Sequence, residues 1–428
     1  MRVLFFPMML FTLAPAAALQ AQDGVIPEVA ETPAEINWPA ERLIGSITLT
    51  QDPHTGLPVS FPDSSDGLLK NIAFTYDVAL SALVLSHAGD WKQARSALAF
   101  YEAVPLPTPD AFYFNTAYHA QLGVPKLEYR VHGGPIFWMA IAMLRYAQAT
   151  GDYALRNKAV ELLDWARRHL PHIDGGVVMS QRDEWKDILS TENNWVYYAA
   201  LRVAIEMMPN GSQREAFREE AKNVRAWLTR LGNNRGFRVP STFDPVQALD
   251  VYTHPLLIGP AAQMEEEGFA SEDDLAKWAV EHIANLEARF RVSGTDLYDY
   301  TDAAECQAVG RYRAGWLEGT EQVVVAYQVW APWFRGIGDY AYAAFLDDQA
   351  VVSHAAVKRL ALSSEAGGIW IPNTDAPVAF LTFHDGWKAR PRSESALNGT
   401  TWTYFAECRY NPFTAHLPIC PACEGAVE

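Results

Sequence analysis

Basic residues are scarce in this chain of 428 residues. Lys and Arg number 34 against 51 Asp and Glu, which gives a formal net charge of −17 at pH 7. Nucleic acids and anionic membrane surfaces attract proteins largely through clustered cations. The charge balance therefore argues against either as a partner, although it says little about the fold.

Long apolar runs are also scarce, and the one that stands out covers residues 3–18, directly after Arg2. A short apolar run behind a basic residue, followed by small or apolar residues at 19–21, is typical of a secretory signal peptide. A membrane anchor is the alternative, but the run is short for a span and lacks a flanking basic stop. We expect cleavage near Ala21, a periplasmic or secreted location, and no membrane association of the mature chain.

Cysteine is rare, with only Cys306, Cys408, Cys420 and Cys423 in the whole chain. An even count in an exported protein predicts disulfides, and four cysteines allow three pairings among which the sequence does not choose. A zinc site built from His416 and the last three cysteines is the less favoured interpretation, because the spacing is not that of a standard finger. We therefore predict no metal.

Glycine-rich nucleotide-binding motifs are missing as well. The pairs Gly133-Gly134 and Gly367-Gly368 lack the strand–turn–helix setting that a dinucleotide site needs. The sequence thus predicts no cofactor.

Strand-like alternation is uncommon, and a helical period dominates from about residue 68 onward. Three segments begin a helix in the same way, with a Gly that ends the preceding helix, an Asp cap and an aromatic residue: Gly89-Asp90-Trp91, Gly151-Asp152-Tyr153 and Gly338-Asp339-Tyr340. Asp152 follows Asp90 by 62 positions, and Asp339 follows Asp152 by 187, close to three times as many. Two more units should therefore lie between Asp152 and Asp339. Gly211-Ser212 and Ser271-Glu272-Asp273 lie near the expected starts, and six such units would fill most of the chain.

Within each unit the first helix is the more apolar and the second is charged on one face, as in residues 136–147 and 154–169. A helix that is apolar all round is buried, and a one-sided helix covers it. The pattern predicts an all-α fold, an (α/α)6 toroid of six helical hairpins with inner and outer rings. Long polar loops at 174–189, 236–249, 294–315 and 367–395 should open on the active-site rim, where the inner helices begin.

The predicted organisation has four parts. Residues 1–21 form the signal peptide, and 22–67 an extended N-terminal segment that packs on the barrel, with a helix near 34–43. The barrel itself covers 68–415, and 416–428 is a tail with a Cys pair.

The stretch 190–194, Ser-Thr-Glu-Asn-Asn, begins the third apolar helix. One hydroxyl would suffice to cap the helix. Two hydroxyls, a carboxylate and two amides together also suit a polyhydroxyl ligand. Both interpretations remain open from this stretch alone.

Carboxylates recur at the predicted starts of inner helices. Cleavage of an acetal needs one carboxyl group to protonate the leaving oxygen and another to activate water or attack. Their separation decides between inversion and retention of configuration, and the sequence does not provide it. Rim aromatics suit the C–H faces of sugars, although core packing explains several of them equally well.

Several of these motifs resemble the six-hairpin, (α/α)6-barrel glycosidase-like proteins of bacteria, many of which have Ser-Thr-Glu-His-Asn at the third inner helix and Trp-Phe-Glu-Gly-Thr at the fifth. The resemblance covers most of residues 70–413 and is carried by Thr75-Tyr76-Asp77 and by the segments 190–194, 316–322, 399–402 and 411–413. It implies a toroid that acts on an oligo- or polysaccharide.

Carried over by position, the resemblance implies Glu192 and Glu318 as the catalytic carboxylate pair, with Asp77 as a third candidate. The chain has Asn193 where relatives tend to have His, and an amide cannot exchange protons. The substrate-binding residues that we predict are His132, Trp185, Asn193, Asn194, Tyr252, His254, Trp316, Glu321 and Asn398.

The sequence therefore favours an exported glycoside hydrolase with a carbohydrate substrate. A polysaccharide lyase is one alternative, with Tyr252, His254, Arg311 and Arg313 acting on a uronate. A sugar epimerase fits the same barrel, but such enzymes are normally cytoplasmic and the leader argues against one. A non-catalytic glycan-binding protein is the alternative from another class, and the oligomeric state stays unpredicted.

Overall fold

The structure is a computed structural model, and it describes residues 39–108, 114–126, 131–180, 188–230, 238–239, 242–243, 248–267, 269–308, 310–364, 367–378, 380–381 and 388–420. These residues lie in one compact unit, Ile36–Glu428. The predicted signal peptide, the predicted site residue Trp185 and the cysteine Cys423 lie outside the described residues.

Helices make up most of the described chain. They are α1 (Glu41–Thr50), α2 (Thr75–His87), α3 (Trp91–Ala103), α4 (Gly133–Thr150), α5 (Tyr153–His169), α6 (Thr191–Met207), α7 (Ser212–Arg230), α8 (Asp250–Leu257), α9 (Pro260–Glu267), α10 (Glu272–Phe290), α11 (Ala303–Ala308), α12 (Leu317–Gly336), α13 (Tyr340–Lys358) and α14 (Leu397–Glu407).

Short antiparallel strands lie in the connections that precede the inner helices. They are β1 (Ile72–Phe74), β2 (Ala117–His119), β3 (His172–Ile173), β4 (Gly176–Val177), β5 (Arg238–Val239), β6 (Thr242–Phe243), β7 (Leu362–Ser363), β8 (Ile369–Pro372), β9 (Phe380–Leu381), β10 (Lys388–Ala389) and β11 (Ser395–Ala396). They form the pairs β1–β2, β3–β4, β5–β6 and β9–β10, and a three-stranded sheet in the order β11–β8–β7.

The inner helices form a closed ring, because α2, α4, α6, α8, α12 and α14 each pack against the next and α14 packs against α2. Around them, α3, α5, α7, α10 and α13 pack on the inner helix that precedes each of them. The predicted (α/α)6 toroid is confirmed. Its inner ring is apolar on every side, as in α4, where Ile136, Met139 and Leu144 are all fully buried.

The helix starts read from the sequence are also confirmed. Asp90, Asp152 and Asp339 are the N-caps of α3, α5 and α13, and the carboxylate of each accepts backbone N–H groups of the first turn. Ser271 caps α10, and α7 begins at Ser212. The four capping side chains, Asp90, Asp152, Ser271 and Asp339, satisfy amides that the helix itself leaves unpaired.

Residues 34–38 of the helix predicted near 34–43 lie outside the described residues, and within them α1 covers Glu41–Thr50. Pro39 disfavours helical backbone at the residue before it, so α1 begins after this proline. It packs against α14, α2 and β8, and the Ser46 hydroxyl donates to the carbonyl of Ile369 at 2.6 Å. It thereby occupies the outer position beside α14.

The segment after α14 lies against the inner helices. The Asn411 amide donates to the carbonyl of Leu257 at the end of α8, at 2.6 Å. The Phe413 ring lies 5.0 Å from that of Trp138 and 5.3 Å from that of His254, centroid to centroid. This segment therefore packs under the residues that form the middle of the barrel.

The predicted disulfides are not found among the described cysteines, because Cys306, Cys408 and Cys420 are all free. Cys306 is buried beside Asp299 and Arg311, whereas Cys408 ends α14. Across the described part of the chain, no cluster of His, Cys, Asp and Glu could hold a metal ion. Nor does any helix there have the length and hydropathy to cross a membrane.

Candidate active site

Glu318 lies in the first turn of α12, with its carboxyl group almost fully buried. The Tyr76 hydroxyl donates to its Oε1 at 2.5 Å, and the Gln322 amide donates to the same oxygen at 3.5 Å. Gly319 makes this placement possible, since a Cβ there would overlap the ring of Trp316. The site is therefore built at the start of an inner helix, as the sequence predicts.

Tyr76 belongs to the first turn of α2 and is held by a residue of the adjacent inner helix, α14. The indole Nε1 of Trp402, on α14, donates to the Tyr76 oxygen at 2.8 Å. Trp138, on α4, packs edge-on against both rings, at 5.5 Å from Tyr76 and 6.0 Å from Trp402. Three inner helices thus converge around the Glu318 carboxyl group.

Two further carboxylates act on Glu318. Burial raises the pKa of Glu318 to about 8, the Tyr76 hydrogen bond opposes this, and the charges of Asp77 and Asp250 add to it. Burial also raises the pKa of Asp77 to about 7, against a hydrogen bond from Ser60 that lowers it. The site therefore holds a carboxyl group that is protonated at neutral pH beside others that share its surroundings.

Of the three predicted catalytic carboxylates, Glu318 and Asp77 are brought together. Glu192 lies in the first turn of α6 and is half-buried. Its backbone carbonyl lies beside the His254 ring. The catalytic role of all three stays a prediction.

Tyr76, Asp250 and Trp402 lie at the predicted starts of inner helices and Gln322 in the motif 316–322, but none of them is among the site residues chosen from the sequence. The signal for Asp250 was available, because it heads α8 as Asp77 heads α2. Tyr76 and Trp402 are long aromatic residues in apolar helices, and in sequence they are indistinguishable from core residues.

The polar cluster at the start of α6 serves mainly to shape the barrel. The Ser190 hydroxyl accepts the N–H of Asn193 at 3.1 Å, as a helix cap does. The Asn194 amide is engaged with the backbone of Val177, at 2.8 and 2.9 Å, and so joins β4 to the helix. The Asn193 side chain lies against Gly134 on α4, where a Cβ would overlap its oxygen.

Two predicted substrate-binding residues point toward the outer ring. The Tyr252 hydroxyl accepts from Arg289, on α10, at 2.7 Å. Glu321 is fully buried, and both its oxygens lie 2.9 Å from Nδ1 of His354, on α13. Glu321 is three residues after Glu318 on α12, which turns its side chain by about 60° around the helix axis and toward a different neighbour.

Three other predicted binding residues, His132, Trp316 and Asn398, lie at or next to the start of an inner helix. His132 is the N-cap residue of α4, and Trp316 that of α12, where it packs against Tyr300 at 5.0 Å. The Asn398 oxygen accepts the N–H of Gly399 at 2.8 Å. Burial lowers the pKa of His254 to about 3, so its imidazole is neutral.

The arginines considered for a lyase are committed to internal partners. Arg311 donates to both oxygens of the buried carboxylate Asp299, at 2.6 and 3.2 Å. Arg313 donates to the carbonyls of Arg289 and Phe290, at 3.0 and 2.6 Å. Neither guanidinium is therefore available to neutralise a uronate without breaking these contacts.

Comparison with solved structures agrees with this architecture. A D-mannose isomerase matches with a TM-score of 0.62 at 11% identity, over 89% of this chain and 99% of the other. The cellobiose 2-epimerase of Spirochaeta thermophila matches with a TM-score of 0.59 at 14% identity, over 87% of this chain and 95% of the other. A glycosidase in complex with glucose matches with a TM-score of 0.56 at 12% identity, over 87% and 96%.

The chain shares the (α/α)6 toroid of the matched isomerase, epimerase and glycosidase. At these identities the likeness establishes the fold alone. No protein-family model matches this chain, and no curated protein matches it either. The matched structures include a sugar isomerase, an epimerase and a glycosidase, so the likeness does not distinguish hydrolysis from isomerisation.

Proposed function

We propose that the protein is an exported glycoside hydrolase that acts on an oligo- or polysaccharide, with Glu318 as its general acid. The observation that carries the proposal is the Glu318 carboxyl group, buried beside Asp77 and Asp250, with a pKa near 8. A group that is protonated at neutral pH can donate its proton to a glycosidic oxygen as the bond breaks. The apolar leader at residues 3–18 is the basis for export.

The second carboxylate is proposed to be Asp77 or Asp250, the two groups whose charges act on Glu318. One of them would activate water or attack the anomeric carbon, according to its distance from the acid. Glu192, at the start of α6, is the partner of Glu318 that the sequence predicts, and it remains a candidate for this role. Aromatic rings of Tyr76, Trp138 and Trp402 would face the sugar or support residues that do.

Isomerisation or epimerisation of a sugar is the second candidate, and the matched isomerase and epimerase favour it. Such a reaction needs a base that removes a proton from carbon. His254 is the histidine best placed among the described inner helices, but its imidazole is fully buried beside Trp138 and Phe413 and has a lowered pKa. This setting makes it a weak base, which is why hydrolysis is preferred.

The test is a screen of the mature protein against bacterial, plant and algal polysaccharides, read by new reducing ends and by ultraviolet absorbance. We expect reducing ends without absorbance, and activity that falls as the pH rises through about 8, where Glu318 ionises. Glu318→Gln should lose activity by about 10²–10⁴-fold. It should lose less on aryl glycosides whose leaving group needs no acid.

Asp77→Asn and Asp250→Asn identify the partner on an aryl glycoside, because azide replaces a missing base or nucleophile and then gives a glycosyl azide of inverted configuration. Glu281→Gln is the control, since it makes the same change at an exposed position of α10. An absorbing product would indicate a lyase, and deuterium incorporated at sugar carbon from D₂O an isomerase. Binding without turnover would support the non-catalytic alternative.

A further inference from the structure

The hydrogen bonds around Glu318 have a fixed direction. The indole N–H of Trp402 is a donor only, so the Tyr76 oxygen must accept it, at 2.8 Å. The Tyr76 proton is then directed at Oε1 of Glu318, 2.5 Å away. Tryptophan, tyrosine and glutamate thus form a chain in which every proton points toward the carboxyl group.

A second chain reaches the same oxygen from α8. The Thr253 hydroxyl donates to the side-chain carbonyl of Gln322 at 2.7 Å, and this bond turns the amide nitrogen of Gln322 toward Oε1 of Glu318. A glutamine carbonyl can only accept, so the orientation of the amide follows from Thr253. At 3.5 Å the Gln322 bond is the weaker of the two.

We propose that Tyr76 and Trp402 are positioning residues that keep Oε1 of Glu318 an acceptor and so hold its acidic proton on Oε2. This inference rests on the proposed role of Glu318 as general acid. A proton on Oε1 would meet the proton of Tyr76 at 2.5 Å, whereas neither hydrogen bond involves Oε2. The proton on Oε2 is the one that passes to the glycosidic oxygen, which keeps the electron pair of the breaking C–O bond.

The arrangement also favours release of that proton. Once Glu318 is ionised, its Oε1 carries negative charge and the bond from Tyr76 becomes a charge-assisted one. Tyr76 itself remains protonated, because burial, followed by the charge of Glu318, raises its pKa well above the usual value. Tyr76 therefore stabilises the conjugate base without competing as an acid.

The experiment compares Tyr76→Phe and Trp402→Phe with wild type on the best substrate. Tyr76→Phe should lower kcat about 10- to 100-fold with little change in KM, as expected for loss of a hydrogen bond to a charged group. It should also move the alkaline limb of the pH profile upward, because the lost bond lowers the pKa of Glu318. Trp402→Phe should add almost nothing to Tyr76→Phe in the double variant, since both act through one bond.

A readout that is independent of turnover is the titration of Glu318 by ¹³C NMR of carboxyl-labelled glutamate, with its signal assigned by Glu318→Gln. We expect a higher pKa in Tyr76→Phe. Tyr101→Phe is the matched control, because Tyr101 is also buried and donates to the Thr75 hydroxyl at 3.0 Å, away from Glu318. That variant can lose stability but should leave the titration unchanged.

The two proposals fail in different ways. An enzyme that hydrolyses glycosides through Glu318, but whose kcat and Glu318 titration are unaffected by Tyr76→Phe, overturns the positioning role and leaves the hydrolase in place. A raised pKa in Tyr76→Phe without any hydrolysis by wild type supports the hydrogen-bond chain and overturns the hydrolase.

Discussion

At the scale of single residues, the site keeps a carboxyl group where the fold would be more stable without one. Glu318 is buried beside Asp77 and Asp250, so its ionised form is disfavoured by both desolvation and like charge. The Tyr76 bond offsets only part of this cost. An environment that disfavours the charged form is common where a group must hold a proton at neutral pH.

The consequence is a stability that falls with pH. The folded-state pKa of Glu318 is raised from 4.5 to about 8, so unfolding releases a proton between these values and stability declines as the pH rises through this window. Glu318→Gln removes the part of that decline to which Glu318 contributes. We expect the variant to be more stable than wild type at pH 9, by a few kcal/mol on the order expected from linkage, and to differ less at pH 5.

Thermal unfolding of both proteins across pH 5–9 measures this. Asp339→Asn is a suitable control, because this exposed cap of α13 lies far from the site. A pH-independent difference between Glu318→Gln and wild type would contradict the assignment of a raised pKa to Glu318.

At the scale of elements, α12, α13 and α14 are joined by a network of charges behind the site. His354 lies between Glu321, at 2.9 Å, and Glu407, at 2.7 Å, and Lys358 reaches Glu407 at 2.9 Å. The Thr403 hydroxyl completes the bonds to Glu321, at 3.1 Å. This network accounts for Glu321, which the sequence placed in the substrate site.

Burial lowers the pKa of His354, but the charges and hydrogen bonds of Glu321 and Glu407 outweigh it and raise the pKa to about 9. The protonated imidazole therefore stabilises the fold fully below its ordinary pKa of 6.5, and the contribution is lost as the pH rises through about 9. His354→Gln should cost about 2–4 kcal/mol near pH 7, because it leaves the fully buried Glu321 carboxylate without a cation.

Chemical denaturation of His354→Gln and wild type at pH 7 and pH 10 tests this. The difference in unfolding free energy between the two proteins should be smaller at pH 10, because wild type also loses the charge of His354 there. His169→Gln, at the exposed end of α5, provides a control. An equal gap at both pH values would mean that His354 acts through packing and not through its charge.

At the scale of the whole molecule, the outer position beside α14 is filled by a helix from the other end of the chain. Helix α1 lies within the segment 22–67 and packs against α14 and β8, near the other end of the chain. Leu43 and Ile47 are fully buried in this contact, whereas Leu49 is 55% exposed. A chain that began at residue 68 would lack the outer partner of α14.

Leu43→Ala should therefore destabilise the whole toroid, by about 2–5 kcal/mol for a buried leucine. Leu49→Ala removes the same atoms from the same helix at an exposed position and should change stability by about 0.5 kcal/mol or less. Urea unfolding of the two variants measures the difference. A similar loss of unfolding free energy in both variants would show that the contact of Leu43 with the barrel adds nothing to the stability of the toroid.

The sequence by itself determined the helical hairpins and the order of the rings. Caps such as Asp152 act on the residues next to them, and the apolar period of a helix such as α4 depends on local spacing, so both can be read along the chain. The same logic located Asp77 and Glu318 at the starts of inner helices. Its N-terminal helix, near 34–43, overlaps α1 only at residues 41–43 of the described chain.

Only the tertiary structure decided which of these residues meet. The partners of Glu318 come from α2, α8 and α14, and a contact across a ring depends on helix rotation, which a shift of one residue changes by about 100°. Tyr252 and Glu321 were predicted to face the substrate and face the outer ring for this reason. The pKa values of Glu318, Asp77 and His354 likewise depend on burial and neighbours, which exist only once the ring has closed.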